Sequence, residues 1–285
     1  MSDLAKVQRW YDARAEWQWG WAERNPVEYG VTLRTLREYL PPPPAAVLDA
    51  GGGPGTYAIP LAEQGYRVTL FDLSAASLDV ARREATARGV TLDGYVHGTA
   101  TDLRAFADGG FAAALALGPL YHLLALAERA RARDELHRVV APGAVLVAGF
   151  LCRFTPLRFG AFNHPERLDG FRPGTREFLE TGVMVLSGDP SVPGSWVDAY
   201  CERPEAVAPF MEAAGFGTLD LVGAEGLFSM IQDKARAVPP EAWPGFIELN
   251  FRLGREPSLL GAAEHLLYVG RRSGPEPRPA LTDAT

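Results

Sequence analysis

The segment 47–56 contains the residue types and spacing in this chain that best suit ligand chemistry. An apolar run ends at Asp49, and glycines follow at alternate positions, namely Gly51, Gly53 and Gly55. Glycine adopts backbone angles that are closed to other residues, and it lets a ligand lie against bare backbone. A helical pattern begins directly afterwards, and the free N–H groups of a helix N-terminus favour an electron-rich ligand. The segment therefore predicts a strand, a tight turn and a helix start that together bind such a ligand.

Two ligand classes use such a turn. A dinucleotide site has the spacing G-x-G-x-x-G, in which Gly51 and Gly53 match but Thr56 occupies the third position. The spacing D-x-G-x-G-x-G is matched by Asp49, Gly51, Gly53 and Gly55, and it resembles the first motif of the class I S-adenosylmethionine-dependent methyltransferases. A third possibility is a turn that binds nothing, but Asp72 and the order of elements both disfavour it.

Asp72 ends a second apolar run, 66–71, about 20 residues beyond the glycines. At that place in a nucleotide fold, a carboxylate can accept hydrogen bonds from both ribose hydroxyls. The alternative is that Asp72 caps the next helix, but Ser74 suits that role better. The spacing therefore predicts that Asp72 holds a ribose.

Composition limits the class of protein and of partner. The 285 residues are 47% hydrophobic, enough for one large α/β domain with an insertion. A net charge of −7 disfavours nucleic acid as a partner, because phosphate contacts need clustered Lys and Arg. The N-terminus lacks a signal-peptide core, and the most apolar stretch, 111–127, is interrupted by Gly and Pro, so no membrane span is expected. Cys152 and Cys201 form neither a zinc spacing nor a disulfide framework, and the prediction is a cytoplasmic protein.

The order of predicted elements indicates an α/β fold with a doubly wound, mostly parallel sheet. Strands and helices alternate from 45 to 150, and ligands bind such sheets at the carboxyl ends of the strands. We predict a helical lid over 1–44 that begins with one helix over 3–22, a core over 45–272 whose fifth strand spans 144–150, and a disordered tail over 273–285. An insertion after strand five, at about 151–202, is rich in Gly, Pro and aromatic residues without a long helix pattern, and it would lie over the acceptor.

The resemblance to class I methyltransferases is strong over 47–151 and weak elsewhere. It implies a Rossmann-like, seven-stranded sheet whose last two strands form an antiparallel hairpin. It also implies S-adenosyl-L-methionine as cofactor and S-adenosyl-L-homocysteine as product. Asp49 and Gly51 would line the methionine part, and Gly53 and Gly55 would allow close approach. Asp72 would hold the ribose.

Further cofactor contacts also follow from the resemblance. Thr99 stands where an acid near the adenine is common, so Asp102 or backbone groups would meet the adenine amine instead. Asp102 could equally be a helix N-cap. The predicted cofactor set also includes Leu73, Thr101 and Leu117.

The N-terminal segment is rich in aromatic residues, including Trp10, Tyr11 and Trp21. These side chains either pack on the sheet edge or cover the ligand cleft, where aromatic faces suit a sulfonium cation. In the family an aromatic residue here often covers the cofactor, and Tyr11 is the candidate.

The segment 117–122 would pass the methionine end of the cofactor and face the acceptor. It lacks the Asn of the Asn-Pro-Pro-Tyr motif, which argues against amide and base-amine methylation. Together with 256–261 and His265, it resembles a bacterial subgroup of small-molecule methyltransferases.

Three residues are candidates for the chemistry of methyl transfer. His122 could be a general base or a packed core residue. Tyr121 could hydrogen-bond the acceptor or the cofactor. His164 could be a second base or a turn residue. His265, in an apolar strand, fits a core histidine better, and no His–Glu spacing or acidic cluster indicates a metal.

The predicted function is methyl transfer to an O, N or C nucleophile of a small molecule, of a kind found in secondary metabolism. The aromatic content favours a flat acceptor such as an indole or a phenol. The chain could instead cyclise or cleave the cofactor itself, bind it without catalysis, or be a nicotinamide-dependent oxidoreductase, which Thr56 disfavours. The expected assembly is a monomer or a homodimer.

Overall fold

The computed structural model describes residues 2–192 and 194–274, and these contain a nine-stranded sheet flanked by helices. The strands are β1 (Ala46–Ala50), β2 (Arg67–Asp72), β3 (Gly94–His97), β4 (Phe111–Ala116), β5 (Val140–Cys152), β6 (Val183–Met184), β7 (Ala199–Glu202), β8 (Phe216–Gly223) and β9 (His265–Arg272). The α-helices are α1 (Leu4–Asp12), α2 (Ala15–Trp19), α3 (Trp21–Arg24), α4 (Pro26–Tyr39), α5 (Ala58–Glu63), α6 (Ala75–Ala87), α7 (Leu126–Val139), α8 (Thr155–Asn163), α9 (Pro173–Thr181), α10 (Pro204–Glu212) and α11 (Trp243–Gly254).

Strands β1 to β5 form a parallel sheet in the order β3-β2-β1-β4-β5. Strand β9 pairs antiparallel with β5, and β8 pairs antiparallel with β9, so the predicted closing hairpin is present. These seven strands form the expected Rossmann-like sheet. The α/β fold predicted from the sequence is confirmed.

The described residues hold two strands more than the seven predicted. Strands β6 and β7 belong to the insertion, and β7 extends the sheet at the carboxyl end of β5, where Leu151 pairs with Cys201. Each is only two to four residues long. Their sequences are too short to show the alternation by which strands are recognised.

Two helical predictions also differ from the structure. The single helix expected over 3–22 is instead α1, α2 and α3, because Arg14 and Gly20 leave the helical conformation. The Arg14 guanidinium donates to the carbonyls of Pro190 and Val192 at 3.1 Å each, so a tertiary contact replaces helix continuity. The insertion contains α8 and α9, each nine residues long, which begin at or beside a proline.

Strand β5 begins at Val140, four residues before the predicted start at Ala144. The sequence predicts that Pro142 and Gly143 separate α7 from this strand, but they lie in its exposed first part, where a proline leaves no buried donor unpaired. The pairing between β4 and β5 shifts register at this point.

The sheet is buried on both faces, as expected of strands covered by helices. Leu48, Val68, Ala114 and Val147 have no exposed surface. Asp49 and Asp72 lie at the carboxyl ends of the neighbouring strands β1 and β2, where Ala50 is paired with Phe71. The sheet therefore brings the two acids predicted to bind a nucleoside to one edge.

Most of the predicted tail, 275–285, lies outside the described residues. Within the part of the chain that is described, no helix combines the length and the apolar character needed to cross a membrane.

Candidate functional site

The glycine turn between β1 and α5 has the backbone conformation that its sequence predicts. Gly51, Gly53 and Gly55 have φ of +79°, +57° and +85°, a region that favours glycine. A Cβ on Gly51 would lie 2.8 Å from a ring carbon of Pro119, whereas a Cβ on Gly53 would meet nothing within 4 Å. Gly53 thus presents bare backbone to open space, as a ligand-binding turn requires.

Gly89 provides a matched test of this turn. It also has positive φ, +67°, and a Cβ added to it would meet nothing within 4 Å, but it lies after α6. We expect Gly53→Ala and Gly89→Ala each to lower the free energy of unfolding by about 1 kcal/mol through backbone strain. Only Gly53→Ala should also weaken binding of S-adenosylmethionine, by roughly tenfold. Urea denaturation and calorimetry check the two effects, and equal cofactor affinity in both variants would contradict the assignment of Gly53.

Among the residues that the structure describes, the buried Asp49 carboxylate has no hydrogen-bond partner. Its side chain has no exposed surface, and neither oxygen is bonded. Burial raises the pKa of Asp49 to about 7, and the negative charge of Asp72 adds to the shift. Because isolated buried charges are costly, an unpaired carboxylate here indicates a place for a ligand with a cationic or donor group.

Asp72 organises the loop after β2. One oxygen accepts the Gly53 N–H at 2.7 Å, and the other accepts the Ser74 N–H at 2.7 Å. Burial raises the pKa of Asp72 to about 6, although both backbone donors oppose the shift. Ser74 caps α6, as predicted, by accepting the Ser77 N–H at 3.0 Å. Asp72 is therefore not needed as the cap, and each of its oxygens keeps a second lone pair for a ligand.

Helix α1 crosses the loop that holds Asp72. Asp12, at its end, accepts the Ser74 hydroxyl at 2.7 Å and the Ala76 N–H at 3.3 Å, both at the start of α6. This contact fixes the neighbouring Tyr11 near the cleft. Burial raises the pKa of Tyr11 well above its ordinary value, and the charge of Asp72 adds to the shift.

Tyr11 and His122 form a hydrogen-bonded pair with a defined proton arrangement. The Tyr11 hydroxyl lies 2.8 Å from His122 Nε2, and His122 Nδ1 lies 2.9 Å from the Asp198 carbonyl oxygen. A carbonyl can only accept, so Nδ1 carries the proton and the Tyr11 hydroxyl donates to Nε2. Burial lowers the pKa of His122 to about 4, so the imidazole is neutral near pH 7. Both ring nitrogens are already engaged.

The N-terminal helices and the insertion form one cover. Lys6 pairs with the Asp198 carboxylate at 2.7 Å and reaches the Leu186 carbonyl at 2.5 Å. The rings of Trp10 and Trp196 stack with centroids 5.4 Å apart. These contacts join α1 to the segment between β6 and β7, close to the Tyr11–His122 pair.

The other predicted residues are distributed differently. The Leu73 carbonyl accepts from His97 Nε2 at 2.8 Å, and Thr101 Oγ1 lies 3.1 Å from Thr99 Oγ1. Asp102 forms a bidentate pair with Arg104, at 2.7 and 2.6 Å, which lowers the pKa of Asp102 to about 2.

Leu117, Tyr121 and His164 complete the predicted set. Leu117 is half-buried and lies directly after β4. The Tyr121 and His122 rings are in contact, with centroids 4.8 Å apart. His164 is nearly half-exposed at the end of α8, and its described side-chain ion pair is with Glu166, at 3.6 Å. The structure does not bring His164 into contact with Tyr121 or His122.

Sequence reasoning missed a cluster of two carboxylates and a histidine. Glu28, Glu225 and His265 each place one donor or acceptor atom within 4.8 Å of the others. Glu225 accepts from His265 Nδ1 at 2.6 Å, and Glu28 accepts from the Trp21 indole at 2.5 Å. No local spacing could reveal this cluster, because its members come from α4, the segment just after β8 and the start of β9.

A nine-stranded α/β sheet with a glycine turn and two acids at adjacent strand ends defines a nucleoside-binding site of the doubly wound class. Comparison with known proteins agrees. Residues 47–143 match the sequence profile of the methyltransferase domain family. The chain is 25% identical over 247 residues to the tRNA 5-carboxymethoxyuridine methyltransferase of Escherichia coli K12, with 84% of each protein covered.

Two further similarities were found. A stretch of 107 residues is 39% identical to the ubiquinone biosynthesis O-methyltransferase of Methylocella silvestris, covering 38% of this chain and 40% of that protein. A SAM-dependent methyltransferase of Methanosarcina mazei has the same fold, with a TM-score of 0.58 at 20% identity, over 85% of this chain and 98% of that chain. The chain belongs to the class I S-adenosylmethionine-dependent methyltransferases, and its cofactor is S-adenosylmethionine.

The residues at the turn fit this cofactor. The unpartnered Asp49 carboxylate suits the ammonium group of the methionine part, and the open side of Gly53 leaves room for a ligand along the backbone. Asp72 retains acceptor capacity for ribose hydroxyls.

Proposed function

We propose that this enzyme methylates an O, N or C nucleophile of a small molecule that lies beneath the cover formed by α1 and the insertion. S-adenosylmethionine supplies an electrophilic methyl group on a sulfonium. Asp49 and the turn at Gly51 to Gly55 hold its methionine part, and Asp72 holds its ribose. Tyr11 and Leu73 line the same cleft, together with Thr101, Asp102 and Leu117.

The observation that carries the proposal is the joining of α1 to the insertion. The Lys6–Asp198 ion pair and the hydrogen bonds from Tyr11 through His122 to the Asp198 carbonyl link the two covering segments. A cover held at these points orients an enclosed acceptor and excludes water, and orientation can contribute roughly 7 to 11 kcal/mol to a barrier. An enclosed site favours a small acceptor over a folded nucleic acid.

Charge supports the same choice. The Escherichia coli relative acts on tRNA, but this chain carries a net charge of −7, which disfavours contact with a phosphate backbone. Burial raises the pKa of Tyr121, and the negative charge of Glu28 adds to the shift, so a carboxylate lies near the ring that is proposed to face the acceptor.

The contacts of His122 favour a positioning role over that of general base. Both of its ring nitrogens are bonded, so it could take a proton only if the Tyr11 hydroxyl moved away. We propose that His122 holds Tyr11 and the insertion in place, and that Tyr121 faces the acceptor.

A comparison of acceptor fractions tests the proposal. Purified protein and S-adenosylmethionine are incubated with a small-molecule extract, with bulk tRNA, or with neither, and S-adenosylhomocysteine is measured. We expect product only with the small-molecule extract. Product with tRNA alone would contradict the proposal, conversion of the cofactor without any acceptor would indicate chemistry on the cofactor itself, and no conversion would indicate a binding module.

A further inference from the structure

Aromatic rings form a closed circuit beside the proposed cofactor cleft. On one side, Tyr11 contacts His122, His122 contacts Tyr121, and Tyr121 contacts His265, with centroid separations of 5.4, 4.8 and 6.4 Å. These four residues come from α1, the segment after β4 and the start of β9. This side of the circuit therefore runs from α1 to the cluster of Glu28, Glu225 and His265.

Three tryptophans close the circuit on the other side. Trp21 contacts His265, Trp196 contacts Trp21, and Trp10 stacks on Trp196, with centroid separations of 6.3, 6.3 and 5.4 Å. Trp10 in turn contacts Tyr11 at 5.0 Å. The lid and the insertion both contribute to this circuit, so it exists only when the cover is in place.

Tyr121 connects the circuit to the glycine turn. A Cβ on Gly118 would lie 3.5 Å from both the Tyr121 hydroxyl and the Gly51 carbonyl oxygen. The space at Gly118 is therefore bordered by Gly51, which is proposed to line the methionine part of the cofactor, and by the ring of Tyr121, which belongs to the circuit. An acceptor within the circuit would be next to the cofactor cleft.

The carboxylates of Glu28 and Glu225 lie beside His265 at the edge of the circuit, which we call the rim. They differ in how many hydrogen bonds they accept. Glu225 is buried and accepts three hydrogen bonds, from His265 Nδ1 at 2.6 Å and from the N–H groups of Glu264 and His265 at 2.9 Å each. Glu28 accepts only the Trp21 indole, and within the described residues its second oxygen has no partner. His265 Nε2 is likewise without a partner there. Glu28 and His265 therefore present free polar atoms at the rim.

The charge of this rim favours a cationic ligand. It holds three acids, Glu28, Glu225 and Glu264, against His265 and one arginine, Arg158, which reaches Glu264 only through the Ser229 hydroxyl. If all five ionise, the net charge is −1. Burial raises the pKa of Glu28 to about 7, the neighbouring carboxylate of Glu225 adds to the shift, and the His265 charge opposes it.

A metal ion fits these atoms less well than an organic cation does. Although burial lowers the pKa of His265, the carboxylates of Glu225 and Glu28 raise it to about 10, so both ring nitrogens carry protons near pH 7 and a metal ion would have to displace one of them. An ammonium group can use the free Glu28 oxygen without breaking any bond, and aromatic faces attract cations by about 0.5 to 2 kcal/mol each.

We propose that the acceptor site lies within this aromatic circuit and takes an amine carried on an apolar, flat group, with Glu28 as the residue that binds the ammonium and receives its proton. The proposal rests on the proposed function and specifies its acceptor. The ammonium proton passes to the Glu28 carboxylate, and the freed nitrogen lone pair forms a bond to the transferred methyl carbon. The electron pair of the broken C–S bond remains on sulfur. Glu225 and His265 are positioning residues behind Glu28.

Three ring-matched probes test the acceptor class. Phenethylamine, 2-phenylethanol and phenylacetate share one aromatic group and differ only in the terminal amine, hydroxyl or carboxylate. Their binding to the protein loaded with S-adenosylhomocysteine is measured by calorimetry near neutral pH. We expect phenethylamine to bind at least about tenfold more tightly than the other two. Equal or tighter binding of phenylacetate or phenylethanol, or no binding of phenethylamine at about 10 mM, would overturn the proposal.

A pair of variants on one helix tests Glu28 itself. Glu28→Gln should reduce the preference for the amine at least about fivefold and leave the affinity for S-adenosylhomocysteine unchanged. The control is Glu38→Gln on the same helix, which removes a partly exposed partner of Arg34 and should keep the preference. A Glu28→Gln protein that keeps the preference would overturn the role of Glu28, and the probe series on the unaltered protein tests the site if this variant fails to fold.

The same measurements separate this inference from the proposed function. If the unaltered protein bound no cofactor, or methylated only tRNA, the proposed function would be wrong. If it bound the cofactor and methylated small molecules without preferring amines, only the amine site would be wrong.

Discussion

Replacing Asp49 by Asn should stabilise the ligand-free protein at about pH 8 while weakening its binding of S-adenosylmethionine. The carboxylate is wholly buried and unbonded, and burial raises its pKa to about 7 from an ordinary value of 3.8. A raised native pKa of a carboxyl costs no stability below the unfolded pKa, and it lowers stability progressively as pH rises from the unfolded to the native pKa. The cost is therefore complete above about pH 7, where it approaches 4 kcal/mol at 1.36 kcal/mol per unit.

An Asn at this position has no charge, but it leaves a buried amide unbonded, which costs about 1 to 3 kcal/mol. We expect a net gain of about 2 kcal/mol at pH 8 and a net loss of about 2 kcal/mol at pH 4, where the carboxyl is already neutral and only the cost of the amide remains. Urea denaturation at the two pH values measures it. Cofactor affinity should fall at least about tenfold, because the carboxylate partner of the methionine ammonium is lost.

Asp79→Asn is the control for this prediction, since Asp79 is exposed on α6 and pairs with Arg82. It should change neither the pH dependence nor the affinity. An Asp49→Asn protein less stable than the unaltered one at pH 8, or one with unchanged cofactor affinity, would contradict the assignment. A gain in stability together with a loss of cofactor affinity would mean that the Asp49 charge destabilises the ligand-free protein but is needed to bind the cofactor.

The backbone geometry of the proposed cofactor site could be predicted from the sequence because its determinants are local. The glycines at 51, 53 and 55 encode positive φ one residue at a time, and Asp49 and Asp72 follow recognisable apolar runs. Parallel pairing then brings the ends of β1 and β2 together without further information. For the same reason Ser74 was recognisable as the cap of α6.

The proposed acceptor site could not be predicted, because its residues meet only through tertiary packing. His265 reads as a core position in an apolar strand, yet Glu225, 40 positions earlier, binds its ring. Trp196 comes from an insertion without a clear pattern, and it meets Trp10 and Trp21 only when the cover is formed. This proposed site depends on the distances between residues in remote segments of the chain. The hydrophobic periodicity of the sequence carries no information about those distances.

The fourth glycine of the turn, Gly52, falls at a variable position of the motif, but its surroundings require glycine. A Cβ there would overlap the Asp49 carboxylate and would lie 2.5 Å from Leu70. The run of three consecutive glycines was the available signal. Close packing against Asp49 explains why that carboxylate is buried.

Replacing Asp72 by Asn should weaken binding of both S-adenosylmethionine and S-adenosylhomocysteine roughly 100-fold. Hydrogen bonds to charged groups contribute about 1.5 to 3 kcal/mol each, and the carboxylate is proposed to accept two ribose hydroxyls. Asn keeps the shape but has one acceptor oxygen instead of two, so it cannot also satisfy the N–H groups of both Gly53 and Ser74. Calorimetry on the variant, with Asp79→Asn as control, measures the loss.

Ligands that lack the ribose hydroxyls separate a sugar contact from a general change in the loop. The unaltered protein should prefer adenosine to 2′,3′-dideoxyadenosine, and Asp72→Asn should bind the two almost equally. If the variant lost affinity for both nucleosides by the same factor, Asp72 would act through the loop that it shares with Gly53 and Ser74 and not on the sugar. A preference that survives in the variant would place the ribose elsewhere, whereas loss of the preference alone would assign the ribose to the acid at the end of β2.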